Sequence, residues 1–455
     1  VCLNIGHKQA NHELYNYVIS KYLEDFEAQN RQLLKNIDNF TDIISTLNSL
    51  VTAKQTLTKQ LIKNILLQNL ANITHSKRQG EIARIIQSKR KWSIVKFVQK
   101  FHFELFRGIR IWLLTPEVAS DILPLRTGLF ELVIFDEASQ LYIEKGIPAI
   151  ARATKVIIAG DSMQLRPSSL GAGRIDLDDD IIEEEESNAA LEEESLLDLA
   201  TYKFSPPVLL NYHYRSRYEE LIAFSNYAFY KGRLYVSPNV EPPGSPPIKV
   251  VKIDDGLWIN RRNRSEALKV VQLLKDFLQH RAKNETIGII TFNSNQRDEI
   301  ETLIDEECAK DASFAAIIKE EQNRKENGEY VGLFVKNIEN VQGDERDVIM
   351  FSIGYAKNES GRLIRNFGWL NQKGGENRLN VAITRAKKKV IIVTSFYPHE
   401  LHVENTQNNG PKLLKKYLEY AFAISDGNKE KAKQILTSFI SADSITEDFH
   451  YENDL

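Results

Sequence analysis

LVIFDEASQ (Leu132–Gln140) and KVIIAGDSMQLRP (Lys155–Pro167) are the stretches on which the reading of this chain turns. Each carries a short apolar run, Leu132–Phe135 and Val156–Ala159, that ends in acid: Asp136 with Glu137 after the first, Gly160 with Asp161 after the second. Apolar runs without alternation predict strands buried on both faces, the pattern of a parallel sheet. Ligands of such sheets bind beyond the carboxyl ends of the strands, where these acids would sit. The pattern returns at Ile287–Thr291, Asp347–Ser352 and Val390–Ser395. Any one run reads equally well as an ordinary core strand. Together, with two of them ending in carboxylates, they predict an α/β sheet that handles nucleotides.

Around this centre, 455 residues are enough for about two or three domains with full cores. The net charge of −3 gives no overall attraction to nucleic acid, but the charge is unevenly spread. Lys77–Arg110 is basic, whereas residues 176–194 hold eleven carboxylates and read as a surface loop. Cys2 and Cys308 are the only cysteines, which excludes a disulfide framework and a four-cysteine metal site within the chain. A reducing, cytoplasmic setting is expected. No stretch reaches the roughly 18 apolar residues of a membrane span, so no membrane partner is expected. The chain begins with Val1, which fits a processed protein or a part of a longer one.

Upstream, residues 11–76 contain neither Gly nor Pro. Leu33, Ile37, Phe40, Ile44, Leu47 and Val51 alternate steps of four and three, the seam of a coiled or antiparallel helical pair. A break or hairpin is expected within this stretch, with a second helical segment after Gly80 returning through Ile82–Phe106. Residues 1–110 read as a solvated helical arm. The functional alternative is an arm over a nucleic-acid channel, its basic cluster touching phosphates. Trp92, Phe97, Phe101, Phe103 and Phe106 lie among those cations, and their spacing also suits the buried face of a helix. Downstream, Ile111–Thr115 reads as the first strand of an α/β domain spanning residues 111–210, with Val208–Leu210 as another. A second α/β domain spans residues 211–400. It contains a helix at Arg215–Tyr230, a Pro-rich linker at Pro238–Pro247, a strand at Ile248–Ile253 and a helix at Ser265–His280. That last helix carries Ala267, Val270, Val271, Leu274 and Leu278 on one stripe. Residues 401–455 read as a polar, helical and flexible tail.

The chemistry gathers at few positions. An aspartate at a strand end can hold Mg²⁺ through water, and an adjacent glutamate can orient and deprotonate a water attacking a γ-phosphate. Asp136 and Glu137 have that arrangement. A neutral amide such as Gln164 can sense a γ-phosphate without adding charge. Arg215 stands in NYHYRS, and Arg378 and Arg385 stand in GGENRLNVAITRAKKK (Gly374–Lys389), where they are expected on one face of a helix. Surface ion pairs and a solvated basic helix are the plain readings of these arginines. The functional reading is charge brought by a second lobe to a transferring phosphoryl group. QGDERD (Gln342–Asp347) precedes a strand, and Gly343 allows a tight loop near a ligand.

DEASQ, GDSMQLRP, NYHYRS, NVQGDERDVIMFS and ENRLNVAITRAKK, in this order and spacing, resemble motifs II to VI of the superfamily 1 helicases. The resemblance is closest to the Upf-like 5′→3′ branch (superfamily 1B), particularly to large bacterial relatives with a long helical insertion. FSNYAFYKGRL (Phe224–Leu234) and FVKNIENVQGDERDV (Phe334–Val348) strengthen it, and the motifs span residues 111–397. It implies an α/β fold of two RecA-like parallel-sheet domains, the first incomplete, with an N-terminal helical or coiled-coil arm inserted like the family's 1B stalk. It implies an ATP-dependent helicase or translocase acting on single-stranded nucleic acid, DNA ahead of RNA, with ATP and Mg²⁺ as cofactors. By the same resemblance Asp136 binds Mg²⁺, Glu137 is the catalytic base and Gln164 couples the γ-phosphate to motion. Arg215 and Arg385 are arginine fingers, and Gly343 and Glu345 lie against the nucleotide.

Two departures stand out. Motif III ends in Arg166 and Pro167 where the family has two prolines. No Gly-Lys dipeptide occurs in the sequence, so the G-x-x-x-x-G-K-[ST] loop that cradles phosphates is missing. The expectation is a C-terminal part of a larger helicase, whose upstream segment supplies that loop and without which ATP is hydrolysed poorly. The alternative is an ATPase-dead nucleic-acid-binding or scaffold protein with a helicase-like fold. Retention of Asp136, Glu137, Gln164, Arg215 and Arg385 argues against it.

Overall fold

The computed structural model describes residues 7–167, 194–204, 206–237, 243–282, 284–326, 328–363, 367–404 and 406–440. The acidic run at residues 176–193 and part of the Pro-rich linker lie outside them. The chain folds as two compact units, Val1–Leu125 and Arg126–Leu455.

The first unit is helical. Helices α1 (His7–Gln29), α2 (Arg31–Asp38) and α3 (Phe40–Thr74) follow one another, interrupted only at Asn30 and Asn39. The expected break is present; a hairpin is not. The Leu33–Val51 seam is exposed, and neither α2 nor α3 buries a residue. Helices α4 (Gln79–Gln87) and α5 (Ile94–Gly108) form a small core in which Ile82, Val98, Phe101 and Leu105 pack with Ile73 near the end of α3. The aromatics divide accordingly: Phe101 is in this core, Phe103 is exposed, and Trp92 has Lys96 Nζ 4.3 Å from its ring centroid. Ile111–Thr115 is not a strand. It runs on without a ladder partner among the described residues, Leu113 almost wholly exposed, into α6 (Pro116–Ile122), which Thr115 caps.

The second unit holds two parallel sheets. In the smaller, β1 (Phe130–Phe135) pairs in register with β2 (Ala153–Ile158). These strands are covered on one face, not two. Val133, Phe135, Val156 and Ile158 pack against α7 (Ile143–Ile150) and α8 (Leu196–Lys203), while Leu132, Ile134 and Ile157 stay exposed. Two strands under one helical layer cannot bury both faces of the pleat. Next come β3 (Tyr212–His213), α9 (Glu219–Tyr230) and β4 (Tyr235–Val236).

The larger sheet has five parallel strands in the order β5-β11-β10-β6-β9. They are β5 (Ile248–Lys252), β6 (Ile287–Thr291), β9 (Phe334–Asn337), β10 (Arg346–Ser352) and β11 (Ala386–Thr394), with a short β7–β8 hairpin (Lys325–Glu326, Glu329–Tyr330) just before β9. β6 is buried throughout, as its unbroken apolar run predicts. Along β10, Val348 and Met350 point to one face and Ile349 and Phe351 to the other. The first face is covered by α10 (Arg264–His280), α11 (Ser294–Lys310) and α12 (Ala312–Gln322). The expected stripe of α10 is the face it buries. The second is covered by α9, α13 (Gly375–Ile383), α14 (Asn409–Ser425) and α15 (Lys429–Thr437). Leu414, Tyr417, Leu418 and Tyr420 of α14 are fully buried, so the part of the expected tail that is described is core rather than appendage. No helix of the described residues is long and apolar enough to cross a membrane. The architecture is α/β, with one parallel sheet of two strands, β1 and β2, and one of five among the described residues.

Candidate functional site

The carboxyl end of β1 turns sharply. Glu137 adopts a left-handed conformation (φ 53°) and leads into a 3₁₀ turn over Ala138–Gln140. Its amide donates to Asp136 Oδ1 at 3.0 Å, and the amide of Ala138 donates to Ala159 O at 2.9 Å, tying the ends of β1 and β2 together. The strands meet so closely that a Cβ on Gly160 would lie 3.0 Å from the Ser139 amide nitrogen and 3.1 Å from that of Ala138. Asp136 and Glu137 are therefore held at the strand tip with exposed carboxylates. Beyond β2, Asp161 Oδ1 accepts from the Met163 amide and Oδ2 from Gln164 Nε2, each at 2.9 Å.

The larger sheet reaches this tip through the loop before β10. Gln342 Nε2 donates to Glu137 Oε2 at 3.0 Å and lies 3.4 Å from Gln164 Oε1. Gly343 follows with φ 85° and open space beside it, so its requirement is conformational. Glu345 Oε2 accepts from Arg215 Nε at 2.6 Å, and Oε1 pairs with Lys387 Nζ at 2.6 Å. Burial pushes the Glu345 carboxyl up, but the bonds from Lys387 and Arg215 outweigh it and hold it below its usual range. His213 shapes the Arg215 loop by accepting from the Ser216 amide at 3.1 Å; burial, then the Arg215 charge, lower its pKa to about 4.

Arg385 is buried, with Nε donating to Val381 O at 2.7 Å, Nη2 to Thr384 Oγ1 at 2.8 Å and Nη1 to Asp344 O at 3.5 Å. Burial, then the Arg215 charge, push its pKa down to about 10, while Glu137 and Glu345 pull the other way. It remains a cation near neutrality, in electrostatic reach of Glu137. The expected shared helix face does not exist: α13 ends at Ile383, and Arg385 stands between that helix and β11. Arg378 is buried on α13 with its Nε 2.6 Å from Glu339 Oε1, so it is a structural ion pair.

These contacts bring Glu137, Gln164 and Gln342 together across two parallel sheets, with Arg215, Glu345 and Arg385 alongside. A family model described as an AAA domain matches residues 192–397. The chain is 37% identical to an uncharacterised ATP-dependent helicase of Mycoplasma genitalium (MG140), over 82% of this chain and 33% of that protein. The Mycoplasma pneumoniae homologue is 35% identical over 86% of this chain and 35% of its own length. The yeast ATP-dependent helicase NAM7 is 26% identical over 70% of this chain and 30% of its own. In its motifs and in these relatives the chain resembles the Upf-like branch of the superfamily 1 helicases. It spans about a third of the length of these curated relatives.

The donor set suits a magnesium nucleotide. Mg²⁺ prefers hard oxygen ligands and keeps several waters, so one exposed carboxylate at a strand tip is an adequate anchor. Among the described residues no cluster of three or more His, Cys, Asp or Glu could enclose a bare metal ion. Gln342 Oε1 is buried without a hydrogen-bond partner, on the same amide whose Nε2 bonds Glu137. Sequence reasoning passed over Tyr230, Asn377 and Asn380, which also bridge the two sheets; only their positions within the quoted family strings hinted at them.

Proposed function

We propose that the chain is the motor region of an ATP-dependent helicase or translocase that moves on single-stranded nucleic acid, DNA ahead of RNA. The observation that carries this reading is the bridge from Gln342 to Glu137 and Gln164, which joins the acid pair of one sheet to the arginine-bearing edge of the other. Bound MgATP would supply the electrophilic γ-phosphate and the metal charge. Asp136 would hold Mg²⁺ through water. Glu137, oriented at Oε2 by Gln342, would take the proton of the attacking water. Arg215 would exchange its Glu345 partner for phosphate oxygens, and buried Arg385 would act as a fixed positive charge behind Glu137. Gln164 would register the γ-phosphate and pass its presence to the second lobe.

No phosphate-cradling G-x-x-x-x-G-K-[ST] loop occurs in this sequence, so turnover would require such a loop from a further segment of the protein. The same gap favours the second reading, a nucleic-acid-binding scaffold. Fluorescence anisotropy with labelled single-stranded DNA and RNA tests the shared part. Salt-dependent binding of DNA tighter than RNA is expected, and absence of binding to either would remove both readings. Turnover then separates motor from scaffold.

A further inference from the structure

The loop that carries Gln164 is fastened to the second lobe by side chains the hydrolytic chemistry does not use. Tyr230, the last residue of α9, donates its hydroxyl proton to Asp161 Oδ2 at 2.7 Å. Asn380 Nδ2 donates to the Tyr230 oxygen at 2.9 Å and to Met163 O at 2.8 Å. Asn377, one turn earlier on the same face of α13, donates to Ser162 O at 3.3 Å and Gln164 O at 3.0 Å. Burial, then the Asp161 charge, raise the Tyr230 pKa, so the phenol stays protonated and keeps donating. Asp161 passes this hold to Gln164 through its own bond to Nε2.

We propose that Tyr230, Asn377 and Asn380 are positioning residues that form a latch between the lobes, holding the Asp161–Gln164 loop on the second lobe and thereby setting the Gln164 amide against Gln342 and Glu137. The proposal rests on the nucleotide reading for the purpose of the latch, though not for its existence. Its chemistry suits a junction that must open and close. Hydrogen bonds fix direction and distance more sharply than apolar contact, and on opening water can replace them. Leu165, packed against the large core of the second lobe, adds only one apolar side chain from this loop. Both asparagines are buried, and Asn380 Oδ1 has no hydrogen-bond partner, so its amide is oriented by its two donor bonds alone.

The test uses the full chain without nucleotide. Tyr230→Phe keeps the ring and removes the hydroxyl; Asn380→Asp keeps the shape and removes the amide donors. Hydrogen–deuterium exchange of the peptide covering residues 160–165 is followed beside peptides from β10 and β11. The side-chain amide resonance of Gln164 is read in protein labelled with ¹⁵N-glutamine. Both variants are expected to raise exchange in the 160–165 peptide at least fivefold, leave β10 and β11 unchanged, and move or broaden the Gln164 signal. Wild-type exchange and an unmoved Gln164 signal in both variants would overturn the latch. Exchange raised equally across β10 and β11 would also overturn it, since the residues would then support the fold at large. Neither readout needs turnover, so a failed hydrolysis assay would count against the functional reading alone.

Discussion

Gln342→Ala removes the side chain that spans the two sheets, and the structure sets how much that should cost. The bond from Nε2 to Glu137 Oε2 is 3.0 Å and charge-assisted, whereas the 3.4 Å approach to Gln164 is long and weak. A hydrogen bond to a charged group contributes about 1.5–3 kcal/mol net, and a neutral one about 1 kcal/mol. Glu137 is exposed, so its carboxylate rehydrates once Gln342 is gone and the full burial penalty does not apply. The coupling between Gln342 and Glu137 should therefore fall below that range, at about 1 kcal/mol, with total destabilisation by Gln342→Ala of about 1–2 kcal/mol. A double-mutant cycle with Glu137→Ala, read by urea unfolding with circular dichroism at pH 7, isolates the pair. Single-mutant effects that add to within about 0.3 kcal/mol would refute the bridge.

Gly160→Ala should destabilise the small sheet by about 1–3 kcal/mol, because its Cβ would press on two backbone amide nitrogens that cannot rotate away; thermal unfolding measures it. Glu345→Gln should weaken the hold on Arg215 and Lys387, with a loss that shrinks in high salt, as denaturation at two ionic strengths would reveal. Its carboxyl lies below the usual range, so the stability it contributes is present above the unfolded pKa and is lost as pH falls through the folded value. Glu266, fully buried on α10, behaves in the opposite sense. Burial pushes its carboxyl up to about 7 against bonds from the Gly354 amide and the hydroxyls of Ser352 and Ser395. The folded state then binds the proton more tightly, so this group's contribution is full below its unfolded pKa and fades as pH rises through about 7. Glu266→Gln should flatten the stability profile between pH 5 and about 8, and an unchanged profile would contradict the assignment.

The acid-tipped strands were legible because a buried strand and the abrupt carboxylates after it are both local patterns. The same holds for β6, β10, β11 and the stripe of α10. Ile111–Thr115 misled because strand formation needs a neighbour, and an apolar pentapeptide does not reveal whether one exists. Leu132, Ile134 and Ile157 misled in the same way: an unbroken apolar run predicts two covered faces, but coverage belongs to the layers around the sheet. Arg378 and Arg385 looked alike in sequence, yet one pairs with Glu339 inside α13 and the other sits past its end. Tyr230, Asn377 and Asn380 act across 69 to 217 residues of chain, a separation at which polar contacts leave no periodic signal.

The most direct test of the account is ATP hydrolysis by this chain joined to a strand and loop of the G-x-x-x-x-G-K-[ST] type, with and without single-stranded DNA, beside the Glu137→Gln variant and the unjoined chain. The account predicts DNA-stimulated turnover in the joined protein, a loss of at least about 100-fold in Glu137→Gln with ATP binding retained, and none in the unjoined chain. Equal turnover in the variant, or none in the joined protein, would contradict it.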